Sequence, residues 1–241
     1  MAIWVITDVV TAITMPIVLI AASGGGEIHG FSSGDFVVYY LSMLMIGSFV
    51  TSHLMWDIAL EIKEGVFSSH LMRPLGYFEF CVFRNLSWRL IRTVLFLPWF
   101  VTFLILFSGY LGGTDLYFGW EFWLSVLLGH GVSLTLVVAL AMIALFVQEA
   151  FAIFELYYLP MLFLSGQIFP IALFPDWARD LAAIFPFYYT IGAPTEILIQ
   201  ITHGPDIARV LLVQGVWIVL SFGLFKLLWW QGTRHYTGVG M

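Results

Sequence analysis

Runs of mostly apolar residues recur along this chain at about 3–22, 36–58, 93–111, 122–147, 151–164 and 208–229, separated by more polar connections. A helix needs about twenty such residues to cross the hydrocarbon core, and within lipid every backbone N–H and C=O must find its partner inside the protein. The pattern predicts an all-α integral membrane protein with six transmembrane helices, the fifth running on into a broken region. Composition agrees: 61% of the residues are hydrophobic and 10% charged, more apolar side chain than a soluble core of this length buries. No internal repeat, low-complexity tract or flexible linker interrupts the chain, so 1–241 reads as one transmembrane domain.

The placement of charge is more informative than its net value of -6. Lys63, Arg73, Arg84, Arg89 and Arg92 are five of the nine Lys and Arg residues, and all lie between 59 and 92. The connections 23–35 and 112–121 hold Glu27, Asp35, Asp115 and Glu121 but no cation, and the tail holds Lys226 and Arg234. The positive-inside rule then puts the segment 59–92 and both termini on the cytoplasmic side. It also puts the turn at Gln148-Glu149-Ala150 there, although that turn lacks a cation. Ala21-Ala22-Ser23 resembles a signal cleavage site, but no positive region precedes it and Asp8 interrupts the run, so a retained span is expected. Cys81, the single cysteine, excludes an internal disulfide and any Cys-rich metal site.

Catalytic patterns are absent from the sequence. There is no G-x-x-x-x-G-K-[ST] to cradle nucleotide phosphates, no H-E-x-x-H and no G-x-S-x-G. Leu164-Ser165-Gly166-Gln167 is similar to part of an ATPase signature, but it lies in an apolar run with no phosphate loop and reads as coincidence. No catalytic, cofactor or metal residue is therefore expected, and nucleic acid is not among the expected partners.

Two segments stand out. Asp57, Glu61 and Glu64 fall on one face of a helix leaving the second apolar run, followed by Val66, Phe67, His70 and Leu71 before Arg73-Pro74. An amphipathic turn between charged flanks suits insertion into a groove on a partner, or lying flat on lipid headgroups. Further on, Pro170, Pro175 and Pro186 exclude a continuous helix. Residues 165–200 therefore read as a helical hairpin dipping into the outer leaflet, with Trp177 and Phe185 to Tyr189 in the interfacial belt. Among ionisable groups near membrane depth, His130 lies mid-span, Glu149 and Glu155 flank the start of the fifth span, and Glu196 either lines an exit or is solvated.

Glu61-Ile62-Lys63-Glu64-Gly65 with Arg73-Pro74, the hairpin Ser165 to Pro170, Phe174 to Trp177 and Phe185 to Tyr188, and the tail Arg234-His235-Tyr236-Thr237-Gly238-Val239-Gly240 together resemble the type-2 ABC permeases, in particular a six-span subgroup often paired with a second permease and a separate ATPase. One departure is that the first apolar run begins almost at Met1, where the family usually places an amphipathic helix. The resemblance implies a permease of the prokaryotic plasma membrane that exports an amphipathic or hydrophobic substrate. Its partners would be a dimer of ATPase subunits, which hold the ATP and Mg, and a second permease, related or identical. It assigns ATPase coupling to Glu61, Lys63, Glu64, Gly65, Phe67, Leu71, Arg73 and Pro74, and an outer gate to Gly166, Phe169, Pro170, Pro175, Pro186 and Glu196. The rival readings are an ion-gradient-driven carrier, in which Glu155 or Glu196 titrates, and a non-transporting anchor subunit.

Overall fold

The computed structural model describes residues 2–24, 26–28, 30–111, 115–147 and 149–236. Thr237 to Gly240 of the tail motif and Gln148 of the turn lie outside them. Its regular elements are helices: α1 Ala2–Ser23, α2 Ser33–Val50, α3 Leu54–Lys63, α4 Phe67–Leu71, α5 Tyr77–Leu106, α6 Trp120–Ala141, α7 Ala150–Leu164, α8 Asp176–Ile184, α9 Gly192–Leu198 and α10 Pro205–His235. Among the described residues, four stretches are long and apolar enough to cross a membrane: Ser33–Lys63, Tyr77–Leu106, Trp120–Leu145 and Pro205–Arg234. The chain is a multi-pass membrane protein. The 15 residues of α7 reach about 22 Å at 1.5 Å per residue, short of the roughly 30 Å hydrocarbon core, and the broken segment follows at Ser165.

Local sequence accounts for the helix ends. Ser32 caps α2 in a reciprocal box with Asp35: its hydroxyl accepts from the Asp35 N–H, and the Asp35 carboxylate accepts from the Ser32 N–H. Gly65, at φ +77, supplies the left-handed residue that closes α3. Gly204 and Pro205 open α10, proline taking the first turn where its missing N–H costs nothing.

Two hydrophobic cores lie end to end. One gathers α2, the far half of α5 (Phe96, Phe103), the start of α6 (Phe122, Val126), α9 and Val210 of α10. The other gathers α3, Phe67 of α4, the near half of α5 (Tyr77, Cys81), the end of α6, Ala150 and Phe154 of α7, and Phe225 of α10. Cys81 is thus buried in the second core rather than lying in an open loop. Large apolar side chains such as Leu90, Val94 and Leu97 of α5 and Leu212, Val219 and Leu220 of α10 face outward, as lipid contact requires.

Two expected boundaries are corrected. The second apolar run is not one straight helix, because Thr51, Ser52 and His53 break it into α2 and α3. The expected connection 59–92 shrinks to the turns and short helix between Lys63 and Tyr77, since α5 begins at Tyr77, sixteen residues before the expected third span. Arg84, Arg89 and Arg92 therefore belong to a helix, and Arg89 and Arg92 are 0% and 2% exposed. The cause is periodic: Tyr77, Cys81, Asn85, Arg89, Arg92, Phe96 and Phe103 form the buried stripe of α5.

Candidate functional site

Where α3, α4 and the start of α5 meet, charge and aromatic packing lock the short α4 against the bundle. Arg84 of α5 reaches back to both carboxylates of α3, with Nη2 3.2 Å from Asp57 Oδ2 and Nη1 2.6 Å from Glu61 Oε1. Glu61 Oε2 lies 3.5 Å from His70 Nε2 on α4. Lys63 pairs with Glu149 at 3.0 Å, tying α3 to the residue that precedes α7. Below these ion pairs, fully buried Phe67 has its ring centroid 5.0 Å from Tyr77, 5.3 Å from Tyr236 and 5.8 Å from Trp229. Ser68 Oγ meets the Tyr236 hydroxyl at 3.4 Å. A five-residue helix does not hold itself together in water. These contacts with α3, α5 and α10 fix α4.

The corner therefore has two faces. Phe67 and His70 point inward, while Val66, Leu71, Met72, Arg73, Pro74 and Leu75 are exposed, Met72 at 82%. Glu64 is exposed beside them. Burial holds the His70 imidazole below its ordinary range, with Glu61 pulling the other way and Arg73 and Arg84 adding to the lowering. Since the unfolded chain then binds the proton more readily, the contribution of His70 to stability is lost as pH falls through the ordinary imidazole range of about 6.5. With the intrinsic pH dependence of amide exchange divided out, protection of residues 61–80 should fall more between pH 7.5 and 5.5 in the native chain than in His70→Phe. An equal fall in protection in both would show that His70 does not titrate in this corner.

A second constellation sits at the break between α2 and α3. Breaking a helix frees backbone groups that lipid cannot satisfy. Arg89 Nη1 donates to the Ser48 carbonyl at 3.3 Å, His130 Nδ1 lies 3.4 Å from the Val50 carbonyl, and the Ser52 N–H donates to Ser133 Oγ at 2.9 Å. Asn85 connects these groups: its amide nitrogen is 3.3 Å from His130 Nε2, and its oxygen accepts from Ser52 Oγ at 3.2 Å and from Arg89 Nη2 at 3.5 Å. Arg92 Nη1 lies 3.3 Å from His53 Nδ1. Polar side chains from α5 and α6 thus replace the interrupted helical ladder.

At the opposite end, the broken segment 165–200 is held on three sides. From α2, the Tyr39 hydroxyl donates to the Gly166 carbonyl at 2.9 Å and the Tyr40 hydroxyl donates to the Ile168 carbonyl. From α10, the Gln214 amide donates to the Ser125 carbonyl of α6 at 2.9 Å and to the Tyr189 carbonyl at 2.8 Å. From α6, Gly129 lies so close to Thr190 that a Cβ there would stand 2.4 Å from the Thr190 carbonyl oxygen. Pro170 and Pro186 are buried, Pro175 and Phe169 reach the surface, and Gly166 takes φ +83. Glu196 is buried, accepting a 2.6 Å hydrogen bond from the Tyr188 hydroxyl.

The profile of the ABC-2 family transporter proteins matches residues 8–240, nearly the whole chain. The chain belongs to the ABC-2 family. This ABC-2 protein is accordingly the membrane permease component of an ABC transporter, a kind of subunit that works with a separate ABC ATPase. Searches of curated proteins and of solved structures found no match.

In this ABC-2 protein the residues expected to couple to an ATPase share one corner but divide between its faces. Phe67 is buried and Glu61 is engaged with Arg84, while Glu64, Leu71, Arg73 and Pro74 are exposed, and Lys63 is paired with Glu149. Glu155 is exposed on α7. The break at 51–53 and its partners Asn85, Arg89, Arg92 and Ser133 escaped sequence reasoning, as did Tyr39, Tyr40 and Gln214. The signal for the break was present in Thr51-Ser52-His53, a polar triplet within an apolar run, and in the spacing of 85, 89 and 92 along one helical face.

Proposed function

We propose that this chain is the permease of an ATP-driven exporter, a single domain of six spans that moves an amphipathic or hydrophobic substrate outward. Two permeases, this chain with a related one or with a second copy, enclose the path, and two ATPase subunits carrying ATP and Mg supply the energy. The termini and the α3–α4 corner lie on the cytoplasmic side of a prokaryotic plasma membrane, and 165–200 forms a re-entrant hairpin over the outer end.

The observation that carries this reading is the two-faced corner. A surface of Glu64, Leu71, Met72, Arg73 and Pro74 is presented outward at this corner, where the short helix is fixed to α3 through the His70–Glu61 contact and to α5 and α10 through Phe67, and Arg84 ties α3 to α5. An ATPase gripping that surface therefore moves several spans at once, and the break at 51–53 lets α3 move relative to α2. ATP shifts the permease only if the ATPase grips the corner differently in its open and closed states.

Mild-detergent purification followed by mass spectrometry of stoichiometric partners tests the assembly, and an ABC ATPase should co-elute. Because Glu61 pairs with Arg84 inside the protein, the cleaner probes of docking are the exposed Glu64→Lys and Met72→Asp. Each should leave insertion and thermal stability unchanged and lower substrate-stimulated ATP turnover at least about tenfold, the scale of a lost interface contact near 1.4 kcal/mol. Unchanged turnover in both variants would remove the docking role.

A further inference from the structure

At the end of the molecule away from the α3–α4 corner, a cavity of about 360 Å³ opens between the start of α6, the end of α9 and the first turns of α10. Its walls carry Tyr117, Trp120 and Glu121 on one side and Gln200, His203 and Ile207 on the other. Its volume falls within the range of about 300–1,000 Å³ that small-molecule sites occupy.

The walls are fixed by hydrogen bonds. The Tyr117 N–H donates to the Leu198 carbonyl at 2.7 Å, and the Gln200 side chain donates to the Asp115 carbonyl at 2.9 Å. Gln200 itself sits at φ 61, a left-handed conformation uncommon for a residue with a side chain, and it is held there by the surrounding contacts. The cavity is therefore formed before any ligand arrives.

Its chemistry selects charge. Glu121 Oε2 accepts the Tyr117 hydroxyl at 2.6 Å, and that bond does not engage Oε1. Among the described residues, no Lys or Arg lines the cavity, and Arg209, one position beyond the lining Ala208, is not on its wall. A carboxylate that shares a cavity wall with tyrosine and tryptophan, with no Lys or Arg on that wall, attracts a positive ligand, and aromatic faces favour cations with little hydration to lose. A bare metal ion is a poor fit, because no group of three or more His, Cys, Asp or Glu suited to holding one occurs among the described residues. We propose that this cavity binds an organic ammonium cation, with Glu121 as its counter-ion and Trp120 and Tyr117 against its apolar substituents. Such a group belongs equally to a phospholipid headgroup or to a free amphipathic amine.

The probe is benzyltrimethylammonium, titrated calorimetrically into the full chain in nanodiscs of phosphatidylglycerol alone, with its neutral isostere neopentylbenzene as control. The cation should bind at least about tenfold more tightly than the isostere, and Glu121→Gln should weaken it about tenfold, the loss of one partly solvated charge interaction. The glutamine oxygen still accepts from Tyr117, so that variant keeps the local fold. Ala208→Trp, which fills the cavity from α10, should abolish binding. Replacing part of the lipid with phosphatidylethanolamine separates the two sources: weaker probe binding assigns the site to a headgroup, and unchanged binding assigns it to a free amine. Equal binding of cation and isostere, or binding undiminished in Glu121→Gln or in Ala208→Trp, would overturn the proposal. No ATP or ATPase enters this measurement, so its outcome is independent of the exporter reading.

Discussion

Phe67→Ala is expected to cost about 3–5 kcal/mol, the range for deleting a buried aromatic side chain, and to lower the thermal midpoint by roughly 10 °C. The ring is 0% exposed and contacts Tyr77 of α5, Trp229 of α10 and Tyr236 just beyond α10, so its removal leaves a cavity that no single side chain can refill. The loss should be local before it is global. Hydrogen exchange should rise first across 64–76 while α6, packed in both cores, stays protected. On the proposed exporter reading, ATP turnover by an assembled complex should then lose its dependence on substrate, because the surface offered to the ATPase is no longer tied to α5 and α10. Val66→Ala is the control: Val66 neighbours Phe67 but is 46% exposed, and it should shift stability by less than about 0.5 kcal/mol. If both variants behave alike, α4 is held by something other than the Phe67 cluster.

The contrast between Val66 and Phe67 also shows how far sequence alone could reach. Apolar length placed most of the crossing segments, because a membrane helix must satisfy its backbone internally and announces itself by composition. Three prolines likewise marked the segment after Leu164 as broken, and the structure divides it into a turn, α8 and α9. Charge counting misled at α5. It assigned Arg89 and Arg92 to an open connection, whereas both are buried, Arg89 donating to the Ser48 carbonyl at the break and Arg92 lying against the His53 ring within it. A cation that supplies hydrogen bonds to freed carbonyls looks, in sequence, the same as one facing solvent; only its helical spacing with Asn85 and Phe96 distinguishes the two. The inward turn of Phe67 was hidden for a related reason. Its partners Trp229 and Tyr236 lie more than 160 residues away, and no local period records them.

Gly129→Ala should be the most damaging small change at the opposite end. The added Cβ would stand 2.4 Å from the Thr190 carbonyl oxygen and 3.2 Å from that of Tyr189. Both obstacles are backbone, so no rotamer change relieves them, and α6 and the 185–191 segment must separate by about 1 Å to reach ordinary van der Waals distance. That movement stretches the two hydrogen bonds by which Gln214 joins Ser125 to Tyr189, so overpacking is compounded by strained buried polar contacts. The combined cost should be about 2–4 kcal/mol, read as a fall in thermal midpoint together with faster exchange across 165–191. Two other glycines separate this effect from a general intolerance of substitution. Gly131→Ala meets only the flexible end of Ile218, at 2.8 Å, and should cost less than about 1 kcal/mol. Gly215→Ala, whose Cβ meets nothing within 4 Å, should be neutral or stabilise α10 by up to about 1 kcal/mol. If the three substitutions give the same loss, the close approach of α6 to Thr190 does not fix the broken segment. If only Gly129→Ala releases it, substrate release can be tested in a variant whose α3–α4 corner is intact, separating the proposed outer gate from the proposed coupling end.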